Sequence, residues 1–390
     1  MAKSFSIFSA AWKVLLAAVY AMLLVALGPV SVYLAFGAVT MVGRGLAALG
    51  LLTLLIAADL FVWFRRTPHP GIWGASTVIL SLVWIAMGYG IVRVAPTGQA
   101  PPGSPVRHRF ASGGSFPRTA LANLVPESEQ IALALRVAPL LDPLLTADQA
   151  GRVRKEALGL YEEMDRDRAF RALGSAMCWT YADAFGLAFD RGHFYLYSRH
   201  APAGRARAAI LFLHGRAGNL KAHTWIWSRL ALRRDAALVV PSFGRGEWGR
   251  PAGADAALRA LDDAAGAGAI DPRRVVVVGL STGARGVWRL AADHAERFAG
   301  AVAICPVPDE AAVSGPAFAR RWGRKPMLVI AGESDRRVPL AGVRRQVRAL
   351  RAGGANVKLI VYPGQDHFLW LSKRQEVLSA VAQWMETHVP

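Results

Sequence analysis

Three apolar runs open the chain. Residues 14–36 carry no charged side chain over 23 positions, residues 45–64 carry only Asp59, and residues 71–92 carry none. At about 1.5 Å of rise per helical residue, each run can cross a hydrocarbon core of roughly 30 Å. None shows the polar stripe of a helix packed on a soluble core. The first is too long for the apolar region of a signal peptide, and two similar runs follow it. The pattern predicts a membrane domain of three transmembrane helices over residues 1–93.

The pattern then changes twice. Residues 94–118 are rich in Pro, Gly and Ser, the composition of a linker. Residues 119–190 space their apolar positions three and four apart, a helical period, and the cluster Asp165-Arg166-Asp167-Arg168 reads as a solvated helix face. This segment is expected to pack as a helical brace or cap. From 191 to 390 short β-rich runs recur at 193–198, 208–213, 236–240, 274–279, 300–305, 326–331 and 357–362. Several are apolar at every position, as strands covered on both faces are. Helical patterns fall between them, near 222–233, 253–267, 282–296, 340–352 and 371–387. The alternation predicts an α/β domain, a mostly parallel sheet wrapped by helices. No G-x-G-x-x-G follows a strand and no Walker loop occurs, so nucleotide binding lacks support.

Charge sets the expected orientation. Lys3, Lys13, Arg65 and Arg66 flank one side of the spans, Arg44 and Arg93 the other. The side richer in Lys and Arg stays in the cytoplasm, which sends the C-terminal domain out across a bacterial plasma membrane. Trp63 and Trp73 lie near span ends, where interfacial aromatics sit. Asp59, close to a basic end, is expected to pair locally or to reach the interface rather than to serve transport. The net charge of +19 raises the question of nucleic acid, but only seven of the 46 basic residues are Lys. The arginines are scattered among Ala and Gly, with no basic helix interleaved with aromatics and no nucleic-acid motif. The composition fits a GC-rich bacterial coding bias, and attraction to anionic headgroups stays open. Two cysteines, Cys178 and Cys305, exclude a disulfide framework and a four-Cys zinc site, and both are read as free thiols.

In an open parallel sheet the loops at the carboxyl ends of strands meet in one crevice. After the run 208–213 comes His214-Gly215-Arg216, and after 274–278 comes Gly279-Leu280-Ser281-Thr282-Gly283. After 326–331 comes Gly332-Glu333-Ser334-Asp335, and after 357–362 comes Pro363-Gly364-Gln365-Asp366-His367. A serine, an acid and a histidine thus follow three different strands. A serine hydroxyl needs a base to become a nucleophile, and a carboxylate fixes the tautomer of a histidine base. Gly279 and Gly283 clear a strained turn around Ser281. The backbone N–H groups of Arg216 and Thr282 are the candidate oxyanion donors. Glu333 competes with Asp335 for the acid, and His193 and His223 compete with His367 for the base. The chemistry calls for no cofactor and no metal.

Residues from about 190 to 390 resemble an α/β-hydrolase, with "LFLHGRAGN", "VVVVGLSTGARG", "VIAGESDRRVP" and "VYPGQDHF" in that family's order. The likeness is to dienelactone hydrolases, esterases and prolyl-oligopeptidase catalytic domains. It implies Ser281 as nucleophile, Asp335 as triad acid, His367 as general base, and His214-Gly215 as the oxyanion-loop motif. Arg216 departs from the small residue often found there. Among aromatics near strand ends, Phe243, Trp248 and Phe368 are the candidate substrate-pocket residues, with Trp225, Trp227 and Trp370 also considered, and packing in the core is an equal alternative for each. The expected activity is that of a membrane-anchored serine hydrolase acting on carboxylic esters. A prolyl-oligopeptidase-type peptidase is the alternative, although residues 119–190 are too few for that family's propeller. A non-catalytic membrane sensor or scaffold is the third reading. The expected partners are a small ester or short peptide and the lipid bilayer.

Overall fold

The structure is a computed structural model that describes residues 2–65, 70–199, 207–266 and 270–389. Arg66 lies outside the described residues, as do the side chains of Lys3, Lys13, Arg65 and Trp73. The chain forms two compact units, residues 1–95 with 124–132, and residues 96–123 with 133–390.

The first unit contains α1 (Ala2–Gly37), α2 (Met41–Arg65) and α3 (Pro70–Val94). All three are long and apolar enough to cross a membrane, over Val14–Gly37, Met41–Trp63 and Ala75–Val94. Thr40 caps α2, its Oγ1 accepting the Gly43 N–H at 2.9 Å. Glu129 adds a negative charge at the same helix N-terminus, where the dipole favours it. Its Oε1 accepts from the N–H groups of Val39 (2.9 Å) and Thr40 (2.6 Å) and from the Thr40 hydroxyl (2.7 Å). Asp59 is held by α3: its Oδ2 accepts the hydroxyls of Ser76 at 2.8 Å and Thr77 at 2.6 Å. Those neighbours satisfy the carboxylate inside an apolar layer, where an unpaired acid is costly. One turn and a half away, Trp84 Nε1–H donates to Thr53 Oγ1 at 2.9 Å, a second polar link of the kind that joins membrane helices.

The second unit is built on eight strands: β1 (Val106–Phe110), β2 (His193–Tyr197), β3 (Arg207–Leu213), β4 (Ala237–Pro241), β5 (Ile270–Leu280), β6 (Gly300–Ile304), β7 (Pro326–Gly332) and β8 (Asn356–Tyr362). Their spatial order is β1-β2-β4-β3-β5-β6-β7-β8. β1 and β2 run antiparallel to their neighbours, and all later pairings are parallel. β1 corrects one expectation, since residues 106–110 lie in the segment read as a linker. "VRHRF" is short, half basic and flanked by Pro and Gly, as edge strands often are, so composition hides it. Residues 121–184 hold α4 (Leu121–Leu124), α5 (Glu127–Leu141), α6 (Ala147–Asp165), α7 (Arg168–Leu173) and α8 (Met177–Ala184). The later helices are α9 (Lys221–Arg233), α10 (Pro251–Gly266), α11 (Gly283–Asp293), α12 (Glu310–Val313), α13 (Pro316–Trp322), α14 (Leu340–Ala352), α15 (Leu369–Ser372) and α16 (Arg374–His388). The core sits where β3, β5 and β6 are covered on both faces, and Val275–Val278 are essentially inaccessible.

A polar chain runs through the antiparallel edge. Asn219 Nδ2–H donates to Ser242 Oγ at 2.9 Å, and Ser242 Oγ–H to His193 Nδ1 at 2.8 Å. His193 Nε2–H then donates to His108 Nδ1 at 2.7 Å, and His108 Nε2–H to the Leu173 carbonyl. One pair of neutral tautomers satisfies every link. Trp179 stacks on His193 with ring centroids 4.1 Å apart. Burial pushes the His108 pKa down to about 4, against the pull of the Leu173 carbonyl. Burial, with His108 beside it, holds the His193 pKa well below the usual histidine value.

Both folded-state pKa values lie below the unfolded value of about 6.5, so the unfolded chain binds these protons first. Their contribution to stability is complete above about pH 6.5 and falls toward pH 4, at up to about 1.4 kcal/mol per pH unit for each histidine. Urea unfolding of the detergent-solubilised chain should therefore weaken steadily below pH 6.5. The dependence should be shallower in His193→Gln, and equal slopes in the two proteins would contradict the neutral pair.

Candidate active site

β5 ends at Leu280 and α11 begins at Gly283, so the chain must reverse within Ser281 and Thr282. Ser281 makes the turn at φ +55°, a left-handed conformation that side-chain-bearing residues rarely adopt. The flanking glycines are required by space. A Cβ on Gly279 would stand 2.5 Å from the Gly283 carbonyl oxygen, and one on Gly283 would stand 2.1 Å from that of Leu213. The turn is tied to β6 by Ser281 N–H donating to the Ile304 carbonyl at 2.9 Å.

Ser281 Oγ–H points at His367 Nε2, 3.0 Å away, and His367 Nδ1–H donates to Asp335 Oδ2 at 2.7 Å. Asp335 is buried, and its Oδ1 accepts the N–H groups of Arg337 and Val338, both at 2.9 Å. Both oxygens of that carboxylate are engaged, which fixes it as an acceptor for the imidazole. Glu333 is exposed and bonds the Gly364 N–H at 3.0 Å, away from His367. His223 is buried between Phe212 and Trp370, its pKa pushed down to about 3 by burial. His193 is held in the edge network. Of the competing residues, His367 meets Ser281 and Asp335 meets His367.

His214 is fully buried and its pKa is lowered to about 4 by burial. Its Nε2 accepts the Phe243 N–H at 3.3 Å, which leaves Nδ1–H to donate to the Gly215 carbonyl at 2.8 Å. Gly215 brings the loop against the serine turn: a Cβ there would lie 3.3 Å from the Leu280 oxygen and 3.4 Å from Ser281 Cβ. Among the described residues the N–H groups of Arg216 and Thr282 donate to no protein acceptor. Thr282 is also the N-cap of α11, whose dipole favours negative charge there. The Arg216 side chain turns toward Glu247, at 3.4 Å, and is exposed.

Two of the predicted pocket residues are corrected. Phe243 and Trp248 are buried in the hydrophobic core. Trp248 Nε1–H donates to the His214 carbonyl at 2.9 Å, and its flank is filled because Gly253 and Gly286 lack side chains. Both residues touch His214 and so brace the oxyanion-loop motif. Trp225 and Trp227 are likewise buried. Phe368 is half-buried beside His367, its ring 5.8 Å below the Arg337 guanidinium.

Cys178 and Cys305 are both free. Cys305 sits behind the triad, where burial, then the Asp335 and Asp366 charges, push its thiol pKa up. Cys305, Asp335 and His367 offer ligand atoms within 4.8 Å of one another, a set suited in kind to zinc. Two of those atoms already share the Asp335–His367 hydrogen bond.

Sequence reasoning missed the residues that hold the acid and base loops. Arg337, two positions after Asp335, donates to Asp142 Oδ2 at 2.5 Å. Asp366, just before His367, accepts Gln149 Nε2–H at 2.7 Å and faces Arg152 at 3.6 Å. The only signal was adjacency of Arg337 and Asp366 to the motif residues.

Residues 245–388 match the model of the dienelactone hydrolase family. The C-terminal unit is thus similar in part to the dienelactone hydrolase family, on a mostly parallel sheet wrapped by helices. Over 170 residues the chain is 32% identical to "Putative esterase NocK" of Nocardia uniformis subsp. tsuyamanensis, a match covering 38% of this chain and 47% of that protein. The chain thus spans about half the length of this curated relative. Among solved structures it is similar to Thermogutta terrifontis esterase 2 (18% identity, TM-score 0.40, 50% of this chain and 89% of that one). It is also similar to an acylaminoacyl peptidase of Pyrococcus horikoshii (14% identity, TM-score 0.43, 50% and 39%).

If the Asp142–Arg337 contact positions the acid loop, Asp142→Asn should lower kcat about tenfold on an activated ester with KM nearly unchanged. The unfolding midpoint should move little, since a part-exposed ion pair is worth about 0–1 kcal/mol. Unaltered kcat would remove Asp142 from the support of the site.

Proposed function

We propose that the protein is a membrane-anchored serine hydrolase that cleaves carboxylic esters through Ser281, His367 and Asp335. The observation that carries this is the hydrogen-bonded series Ser281–His367–Asp335, at 3.0 and 2.7 Å, ending on a serine held at φ +55°. Ser281 Oγ attacks the ester carbonyl carbon while His367 Nε2 takes its proton. The carbonyl oxygen becomes an oxyanion facing the N–H groups of Arg216 and Thr282. Collapse expels the alcohol, which receives the proton from His367 and leaves an acyl-Ser281. Water, giving its proton to His367, attacks the acyl carbon. The acid departs and the proton returns to Ser281. Asp335 orients the imidazole and stabilises its cation throughout.

Five helices occupy residues 121–184, where a prolyl-oligopeptidase carries its propeller, which favours the ester over the peptide bond. With three spans the N-terminus and the C-terminal domain lie on opposite faces of the bilayer in this reading. The greater number of Lys and Arg near the N-terminal face supports a domain outside the cytoplasm of a bacterial inner membrane.

A fluorophosphonate should label the detergent-solubilised chain and leave Ser281→Ala and His367→Ala unlabelled. Ester hydrolysis should drop by about 10⁴-fold or more in both variants. Well-folded wild type that resists the label would sink the enzyme reading, and cleavage of an aminoacyl-proline amide with esters untouched would make it a peptidase.

For topology, cysteines placed on the surface of the hydrolase domain should react with a membrane-impermeant maleimide in spheroplasts. Reaction only after lysis would reverse the orientation.

A further inference from the structure

Away from the triad, α6, α9 and α16 enclose a surface cavity of about 190 Å³. Its floor is apolar, formed by the buried Leu160, Trp225, Ile226 and Leu378. Its rim is cationic: Arg229, Arg233 and Arg374 face a single carboxylate, Glu163. No triad or oxyanion-loop residue lines it.

The three cations are not equivalent. Arg374 reaches Glu163 Oε2 at 3.3 Å. The Arg229 guanidinium lies 3.6 Å from the centre of the Trp225 ring, a cation–π contact that engages its face and leaves its N–H groups without an ion-pair partner among the described residues. Arg229 and Arg233 make no ion pair among the described residues. They stand four positions apart on α9, where like charges repel. Two uncompensated guanidinium groups above an aromatic and aliphatic floor match an anion that carries a short apolar body.

We propose that this cavity binds a small amphiphilic anion, a carboxylate or phosphate head held by Arg229, Arg233 and Arg374 with its apolar part laid on Trp225 and Leu160. Guanidinium forks bind both heads in the same bidentate way. The volume of about 190 Å³ is below the roughly 300–1,000 Å³ of drug-sized sites, which limits the body to a short chain or one ring. The same head-and-tail chemistry is offered by a free carboxylate and by the outer part of an anionic lipid.

The test uses the full chain carrying Ser281→Ala in phosphatidylcholine nanodiscs, so binding is read by calorimetry without turnover and independently of the hydrolase reading. Hexanoate should bind saturably at millimolar concentration. Hexanol, which lacks the charge, and inorganic phosphate, which lacks the body, should bind about tenfold more weakly. Arg233→Gln and Arg374→Gln should each weaken hexanoate about tenfold while the unfolding midpoint holds; Arg233, being exposed, is the safer of the two for folding. Loss of hexanoate binding in phosphatidylglycerol nanodiscs identifies a lipid headgroup as the occupant, and retention identifies a free anion; either supports the site. No saturable hexanoate binding, hexanol or phosphate binding as tightly as hexanoate, or unchanged affinity in the double arginine variant would overturn it.

Discussion

The left-handed turn at Ser281 is the constraint on which the rest of the site depends. A side-chain-bearing residue in that conformation costs about 1–3 kcal/mol and persists only where its surroundings over-determine it. Here they are backbone meeting backbone. Gly283 lies under the Leu213 carbonyl, Gly279 under that of Gly283, and Gly215 beside Leu280. The end of β3, the end of β5 and the start of α11 are thereby packed as one body. Since β3 and β5 are hydrogen-bonded in parallel from Ala209–Val275 to Leu213–Gly279, the oxyanion loop and the serine turn leave the sheet side by side. The buried valines of β5 supply the rigidity, and the glycines supply the room.

The proposed acid and base lie farther along the same sheet edge, after β7 and β8, and are secured differently. Asp335 has both oxygens engaged, and His367 follows a loop anchored through Asp366. The anchors Asp142, Gln149 and Arg152 come from the helical stretch that precedes β2. Part-exposed contacts of this kind add little to global stability. Their effect is on geometry, where a displacement of about 1 Å at a reacting group costs far more in rate than in folding energy. In the proposed mechanism the helical stretch thus belongs with the catalytic unit in the sense that matters for chemistry.

What could be read from the sequence follows from how local each cause is. β3 to β8 announced themselves as short apolar runs, and the glycines around Ser281 mark a requirement set within a few residues. β1 did not, because an edge strand need be neither apolar nor regular in composition. Phe243 and Trp248 look like pocket aromatics when only their strand-end position is known. The burial of Trp248 depends on the missing side chains of Gly253 and Gly286, which belong to other elements. Asp59 was matched to the basic end of its own helix, whereas its partners Ser76 and Thr77 sit on the next one. The anchors of the triad loops were invisible for the same reason taken further: Asp142 and Arg337 are 195 positions apart, Gln149 and Asp366 217.

Arg216 shows how a departure from a motif can leave its chemistry intact. The proposed oxyanion site needs the backbone N–H of this position, so the side chain is free to vary as long as it leaves the crevice. It does so toward Glu247, whose neighbour Trp248 holds the His214 carbonyl from behind. One segment therefore both braces the loop and offsets the charge the loop has acquired. An uncompensated guanidinium beside Ser281 would hold any anion, substrate or product, with equal favour before and after reaction. Paired with Glu247, it leaves the mouth to two backbone donors and the end of α11, groups that interact weakly with a neutral carbonyl and strongly with the oxyanion it becomes. That difference, rather than the attraction itself, is what lowers a barrier.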